Sequence, residues 1–239
     1  MTPQAQRIHE LDHLRDRAHV FRDRIHAGRV LAKMLKGYDG TNALVFGIPA
    51  GGVPVAATLA KSLGLALDVA VVSKMTLPWN TEVGYGAVAF DGTVKINDAL
   101  VRRVGLTKDQ VAQGIAATGT KVKRRCGELR GNRSLPNLAQ RLVFVVDDGL
   151  ASGFTMRVAV DALTRAGADT IAVAVPTAHA SAAEQLATKV TAVYCPNVRE
   201  GWGFAVADAY EHWSDVEESE LVQHLCVSDG AVTHVPLSH

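Results

Sequence analysis

Two adjacent acidic residues, Asp147 and Asp148, stand where a buried apolar segment meets a loop of small residues. The apolar segment, 142–146, is predicted to be a strand buried on both faces. The loop that follows leads into a helix predicted at 155–166, and it consists of Gly149, Leu150, Ala151, Ser152, Gly153, Phe154 and Thr155. Glycines allow backbone N–H groups to converge, and a helix start carries partial positive charge. The segment therefore predicts a phosphate-binding loop, to which Ser152 and Thr155 add hydroxyl donors.

The acidic pair suggests what accompanies that phosphate. Carboxylates one strand-width from a bound phosphate are suited to accept hydrogen bonds from the hydroxyls of an attached sugar. A phosphate beside a diol is the pattern of ribose 5-phosphate. The alternative is that Asp147 and Asp148 only cap a turn.

The elements that must position this loop alternate between strand and helix. Strands are predicted at 43–46, 67–72, 142–146, 170–175 and 191–194, with helices at 53–63, 155–166 and 180–189. This alternation predicts an α/β fold with a mainly parallel sheet and helices on both faces. Ligands bind such sheets at the carboxyl ends of the strands. The loops at 47–52, 73–86, 147–155 and 176–179 should therefore gather on one rim.

Other segments are predicted from periodicity and turn residues. Residues 4–36 have apolar residues at helical spacing and should form a helix, broken once at most. Residues 74–86 have no clear period and are predicted to be a long loop. Asp91-Gly92 predicts a hairpin between 86–90 and 93–96. A mostly helical segment, 98–129 with Thr107 as an N-cap, and a short helix at 216–225 complete the chain.

The acidic and phosphate-binding segment resembles the motif with which type I phosphoribosyltransferases bind 5-phosphoribosyl-1-pyrophosphate (PRPP). The likeness in element order extends over about 21–225 and implies a small C-terminal hood. Ser152 stands where most members have threonine and keeps the hydroxyl. By this resemblance Asp147 and Asp148 bind the ribose 2′- and 3′-hydroxyls, and residues 150–155 hold the 5′-phosphate.

A second glycine-rich loop, made of Pro49, Ala50, Gly51 and Gly52, resembles the family's pyrophosphate loop. Bare backbone at the two glycines can approach phosphate oxygens closely. Relatives in the uncharacterised branch that the chain most resembles usually carry arginine at position 50. Alanine there removes a bidentate phosphate contact, so pyrophosphate affinity and turnover should be reduced. The alternative is a plain glycine-rich turn.

Three further segments are assigned by the same resemblance. Lys74 corresponds to a basic residue that faces the pyrophosphate, although a solvated lysine is the alternative. The loop 75–86, with Glu82 and Gly84, resembles a mobile flap that closes over PRPP. Trp202 and Phe204 could stack on an acceptor base in the hood, or could simply pack the hood.

The composition argues against a nucleic-acid-binding, membrane-associated or disulfide-rich protein. The chain has 239 residues, 48% of them hydrophobic, and a formal net charge of +1, which gives no general field for nucleic acid or anionic membrane. Three scattered cysteines do not form a disulfide framework and favour a reducing cytoplasm. We expect an N-terminal helical arm (1–20), a phosphoribosyltransferase domain (21–225) and a C-terminal tail (226–239).

Two patterns are predicted to be coincidental. His9-Glu10-Leu11-Asp12-His13 satisfies the zinc-protease pattern H-E-x-x-H, but its flanks are charged and no third ligand is evident. The basic run 121–125 is predicted to be a solvated helix face rather than a nucleic-acid patch.

The resemblance implies Mg²⁺-dependent transfer of the 5-phosphoribosyl group from PRPP to an acceptor, expected to be a nitrogenous base, with release of pyrophosphate. Asp147, Asp148 and Lys74 would be catalytic, and the metal would be held mainly by PRPP oxygens and water, with no direct protein ligand. A non-catalytic module that binds PRPP or a nucleotide is the alternative, and a homodimer is left open. No nucleic-acid or membrane partner is expected.

Overall fold

A six-stranded parallel sheet forms the centre of the molecule in a computed structural model that describes residues 7–131, 133–201 and 203–229. The strand order is β1-β10-β8-β7-β2-β3, and the strands are β1 (Ile8–His9), β2 (Leu44–Gly47), β3 (Ala66–Val69), β7 (Leu142–Val146), β8 (Thr170–Ala174) and β10 (Ala192–Tyr194). β7 lies between β8 and β2 and pairs with both in parallel. The predicted strand at 142–146 is confirmed, and its carboxyl end lies near the middle of the sheet.

Helices cover both faces of this sheet. They are α1 (Arg24–Met34), α2 (Gly52–Ser62), α3 (Asp98–Val104), α4 (Lys108–Arg130), α5 (Phe154–Arg165), α6 (Ala180–Ala187) and α7 (Glu218–Asp229). Val143 and Val145 of β7 pack with α5 and α6, whereas Phe144 and Val146 pack with the core that includes α2, α4 and α7. Successive side chains of a strand point to opposite faces, so β7 contributes to both cores. The α/β prediction is confirmed.

Most of the segment predicted as a long loop is instead part of a sheet, and its role as a mobile flap stays a prediction. β4 (Val72–Leu77), β5 (Asn80–Ala89) and β6 (Val94–Ile96) form a three-stranded antiparallel sheet, and Gly84 lies within β5. Register shifts on either side of Thr76 break the alternation that would have revealed β4 in the sequence. Met75 and Tyr85 are buried, and β4 and β5 both contact α4. The hairpin predicted at Asp91-Gly92 is confirmed as the turn between β5 and β6.

The N-terminal segment is not helical over residues 7–23. Ile8 and His9 form an edge strand on β10, a 3-10 turn follows at Asp12–Leu14, and the first α-helix begins only at Arg24. The side-chain amide of Asn197 donates hydrogen bonds to the carbonyls of Leu14 and Arg17, which holds this segment against the C-terminal half. Apolar periodicity could not detect these long-range contacts, so the predicted helix is wrong over residues 7–23 and confirmed over 24–34, and residues 1–6 of the predicted arm lie outside the described residues.

The hood is formed by residues from the N-terminal and C-terminal parts of the described chain, namely residues near Phe21, two short strands and residues near Tyr210. β11 (Asn197–Arg199) pairs in parallel with β9 (Thr177–His179), and Phe21 forms a β-bridge with Tyr210. Phe21, Ala27, Ala209 and Tyr210 form a small core of their own.

The last described element, α7, contacts α2 and α4 and continues through residues 226–229, which were predicted as tail. Among the described residues, no helix combines the length and the apolar character that crossing a bilayer requires.

Candidate active site

A cleft of about 660 Å³ opens at the carboxyl ends of β2 and β7. Three of the loops predicted to share one rim contribute to it, at residues 48–51, 72–76 and 147–156, together with α4 and the hood. The fourth, at 176–179, lies directly behind: Leu150 N donates to Thr177 O at 2.9 Å, and His179 N donates to Leu150 O at 2.9 Å. The sheet therefore brings the predicted segments together.

The loop after β7 has the geometry of an anion site. Gly153 adopts a left-handed conformation (φ 64°) at the N-cap of α5, and Ser152 Oγ accepts a hydrogen bond from Phe154 N at 3.3 Å. Ala151 and Ser152 are exposed to the cleft. A methyl group on Gly149 would lie 2.5 Å from Val206 Cγ1, so only glycine fits there. The loop presents the start of α5 to the cleft, where an anion is favoured.

The acidic pair stands beside this loop in an environment that disfavours two negative charges. Burial, followed by the neighbouring Asp148 carboxylate, raises the pKa of Asp147 well above its usual range. Burial also raises the pKa of Asp148, and the Arg24 guanidinium opposes that rise. Asp148 N donates to Asp147 Oδ1 at 2.9 Å, which fixes the two carboxylates relative to one another.

Arg24 and two aromatic residues, Tyr210 and Trp213, support Asp148, and none of the three was predicted as a site residue. Arg24 Nε donates to Asp148 Oδ2 at 3.0 Å, with side chains 11% and 15% exposed. The guanidinium lies 4.0 Å from the centre of the Trp213 ring, and Tyr210 Oη donates to Asp148 O at 2.6 Å. These contacts join residues separated by 62 to 189 positions. No local sequence signal could have found them.

The glycine-rich loop after β2 packs directly against the acidic pair. A methyl group on Gly51 would lie 1.8 Å from Asp148 Oδ2, and one on Gly52 would lie 2.7 Å from Val146 O. The Pro49–Ala50 peptide bond is cis. Ala50 is partly buried and lines the cleft together with Pro49 and Gly51. The glycines are therefore required for close approach between the two loops.

Cationic side chains line the cleft from two elements. Lys74 extends from β4, and Lys121 and Arg125 extend from α4; that Lys74 faces a pyrophosphate stays a prediction. The prediction that 121–125 is a solvated face is confirmed for Lys121, Lys123 and Arg124, which are exposed, although Lys121 also lines the cleft; it is wrong for Arg125, which is buried. A helix places residues four apart on the same face, so Lys121 and Arg125 point the same way.

Two further predicted site residues, Phe204 and Gly84, do not line this cleft. Phe204 lines a neighbouring pocket of about 640 Å³ with His179 and Ser152, and its ring meets the His179 ring edge-on at 5.9 Å. Trp202 lies outside the described residues, as does the side chain of Glu82. Gly84 lies on β5 across from Thr76.

His9 and His13 do not share a helical face, because they lie on β1 and in the 3-10 turn. His9 instead stacks on Tyr194 with ring centres 4.6 Å apart. Within the described residues, no group of three or more histidine, cysteine, aspartate or glutamate side chains is placed to hold a metal ion. That the two histidines are inert stays a prediction.

Comparison with known proteins agrees with this geometry. The sequence profile of the family described as "Phosphoribosyl transferase domain" matches residues 22–209. The crystal structure of TT1426 from Thermus thermophilus superposes with a TM-score of 0.68 at 32% identity, covering 86% of this chain and 97% of that one.

Two Mycobacterium tuberculosis sequences, provisionally named phosphoribosyl transferases, are each 34% identical over 206 residues. The match covers 86% of this chain but 46% of each relative, so the chain spans about half the length of these curated relatives. The profile match covers most of the chain, including both glycine-rich loops and the acidic pair. The chain belongs to the type I phosphoribosyltransferase family.

Proposed function

We propose that this chain transfers the 5-phosphoribosyl group from PRPP to a nitrogenous base and releases pyrophosphate, with Mg²⁺ as cofactor. The observation that carries the proposal is that an acidic pair, the loop at the start of α5 and three cationic side chains line one cleft. The 5′-phosphate would lie on residues 150–155 and the ribose hydroxyls on Asp147 and Asp148. The pyrophosphate would lie along residues 49–52 and Lys74.

In this reaction the bond from C1′ to the pyrophosphate oxygen breaks, and a bond from the base nitrogen to C1′ forms. The ribose gains positive charge at C1′ in between, and a fixed carboxylate pair stabilises that charge. Arg24 has a supporting role here, because its ion pair favours the ionised form of Asp148 in a buried setting. Lys74 would neutralise part of the charge on the departing pyrophosphate.

The residues present fit the expected metal. Two adjacent carboxylates whose pKa values are raised by burial form a site in which a nearby divalent cation relieves repulsion, and Mg²⁺ prefers oxygen ligands. We propose that PRPP oxygens and water supply most of its ligands. When bound, Mg²⁺ would neutralise charge on the diphosphate.

The acceptor pocket is proposed to be the hood pocket that contains Phe204. Its ring faces His179, and the Arg199 guanidinium lies 5.3 Å from the ring centre. Trp213 offers a second exposed ring in the main cleft. Trp202 stays a candidate from sequence alone.

A non-catalytic PRPP or nucleotide binder is the second candidate, and Ala50 is the observation that favours it. The glycine-rich loop 48–52 lines the cleft without any charged side chain of its own. Such a site could hold ribose 5-phosphate yet stabilise a departing pyrophosphate poorly.

Two expectations about setting also stay proposals: a cytoplasmic location and a possible homodimer. Cys126 and Cys195 are free thiols, and burial raises the pKa of each. A reducing compartment suits this pattern.

Binding of PRPP with Mg²⁺ should raise the melting temperature, because a ligand at a hundred times its dissociation constant stabilises the native state by about 2.7 kcal/mol. Asp148→Asn should weaken PRPP about ten- to a hundred-fold, since a charge-assisted hydrogen bond contributes about 1.5–3 kcal/mol. Asp109→Asn, an exposed change of equal charge on α4, is the control.

If PRPP raised the melting temperature of Asp148→Asn as much as that of the parent, the proposal that Asp148 binds the ribose would be rejected. Pyrophosphate release over a panel of bases then separates the two candidates: a base-dependent rate supports transfer, and PRPP binding without release supports the binder.

A further inference from the structure

We propose that Lys121 and Arg125 of α4, together with Ser73 of β4, form a diphosphate-binding wall in the cleft, opposite the 5′-phosphate loop. This inference rests on the proposed function for the identity of the diphosphate as that of PRPP. The site itself follows from buried polar groups that have no hydrogen-bond partner among the described residues.

Arg125 is the first such group. Its side chain is 9% exposed and lines the cleft. Glu218 Oε1 lies 2.6 Å from Nε but outside the N–H direction, so this buried nitrogen has no acceptor among the described residues. None of those residues accepts a hydrogen bond from the two terminal nitrogens either. A buried N–H group without a well-directed acceptor is costly, and the terminal N–H groups of a guanidinium that lines a cleft are suited to an anionic ligand.

Ser73 is the second unsatisfied group. Its hydroxyl oxygen is buried, lines the same cleft, and has no partner in the described part of the chain. Ser73 lies on β4, and α4 packs against β4. The hydroxyl and the guanidinium therefore belong to one wall, reached from two packed elements.

Lys121 completes this wall. It lies one helical turn before Arg125, lines the cleft, and makes no ion pair with any described residue. The cleft is lined by three cations, Lys74, Lys121 and Arg125, and by two acids, Asp147 and Asp148. The acids stand beside the 5′-phosphate loop, and one is already paired with Arg24. On the α4 wall, the charge of Arg125 is partly balanced by Glu218, whereas that of Lys121 has no carboxylate partner among the described residues.

The charge of this wall fits a diphosphate better than a single phosphate. A monophosphate is accounted for by the start of α5 on the other side. The loop 48–52 between the two sides has no cation, so any highly charged group lying along it must be neutralised from Lys74 and α4. Bidentate recognition of phosphate is the particular capacity of arginine.

Calorimetric titration of the whole chain with inorganic pyrophosphate, ribose 5-phosphate and PRPP, each with Mg²⁺, tests the inference. Lys121→Ala should weaken pyrophosphate and PRPP about ten-fold and leave ribose 5-phosphate within about two-fold. Lys123→Ala is the matched control, because it removes the same charge from an exposed position of the same helix. Arg125→Lys keeps the buried charge, and should still weaken pyrophosphate through loss of the planar fork.

The outcomes separate this inference from the proposed function. Equal effects of Lys121→Ala and Lys123→Ala on pyrophosphate would overturn the α4 wall, even if the parent binds PRPP. A parent that binds ribose 5-phosphate but not pyrophosphate would also overturn it. A parent that binds pyrophosphate through Lys121 but binds neither ribose 5-phosphate nor PRPP would support the wall and reject the proposed function.

Discussion

The two sides of the cleft are built in different ways. The side proposed for ribose 5-phosphate is one continuous segment, from Asp147 to Thr155, in which acids, glycine loop and helix start follow each other directly. The side proposed for the diphosphate combines residues 49–51, Lys74 and two cations from α4. The first side could be recognised from nine consecutive residues, whereas the second becomes visible only once α4 packs on β4.

This difference shows what a local motif can and cannot specify. Backbone N–H groups and a helix start are fixed by the order of residues along the chain, so their role is legible in the sequence. Side-chain cations reach a ligand from any element that packs nearby. An absent cation at position 50 therefore says little about the total charge of the site.

The largest expected effect comes from a substitution at Gly51, where the loop after β2 packs against Asp148. Gly51→Ala would place a methyl group 1.8 Å from Asp148 Oδ2, so the carboxylate or the loop must move. We expect a loss of about 1–3 kcal/mol in unfolding free energy and a loss of PRPP binding of about a hundred-fold or more. Urea denaturation and calorimetry measure the two effects.

Gly127→Ala is the control for that substitution, because it lies in α4 with nothing within 4 Å of the added carbon. It should stabilise the chain by about 0.5–1 kcal/mol, the usual gain from removing a mid-helix glycine. Equal behaviour of the two variants would show that the loops are not in contact.

A smaller effect should follow from adding charge to the diphosphate side. Ala50→Arg should tighten PRPP by about ten-fold, with less change for ribose 5-phosphate, and should increase any base-dependent release of pyrophosphate. If Lys121 and Arg125 already neutralise the diphosphate, the gain will be larger in a Lys121→Ala background than in the parent. Equal affinity changes for the two ligands would show that position 50 does not face the diphosphate.

The smallest expected effect is on the pH dependence of the unfolding free energy of the ligand-free chain, and it comes from Asp147. Folding raises the pKa of Asp147, so its favourable contribution to stability is complete below the pKa of unfolded aspartate, about 3.9, and is lost as the pH rises through the higher folded value. Asparagine at position 147 cannot ionise, so the Asp147→Asn variant does not lose stability in this way as the pH rises. Its amide oxygen can still accept a hydrogen bond from Asp148 N. At pH 7 the unfolding free energy of the variant should therefore be greater than that of the parent by on the order of 1 kcal/mol.

Urea titrations between about pH 4 and pH 7 check this, with Asp109→Asn as the exposed control. A parent whose stability rises more steeply with pH than that of Asp147→Asn would contradict the expected sign.

The sequence by itself determined the parts of this protein that depend on neighbours along the chain. The α/β alternation, β7, the N-cap at Thr107 and the glycine-containing loop after β7 all follow from apolar periodicity and from glycine and hydroxyl residues at fixed offsets. The segments that were predicted wrongly share a different cause. Residues 7–23 and the strands β4 and β5 take their conformation from partners far away in sequence.

Only the tertiary structure decided which charged side chains meet. Arg24 reaches Asp148 across 124 positions, and α4 brings Lys121 and Arg125 of one basic run into the cleft while leaving Lys123 exposed. Helical periodicity could say that Lys121 and Arg125 share a face, but it could not say what that face covers. The packing of α4 against β4 and β5 decides that, because burial of Val122 and Leu129 fixes the rotation of the helix and so the direction of its cations.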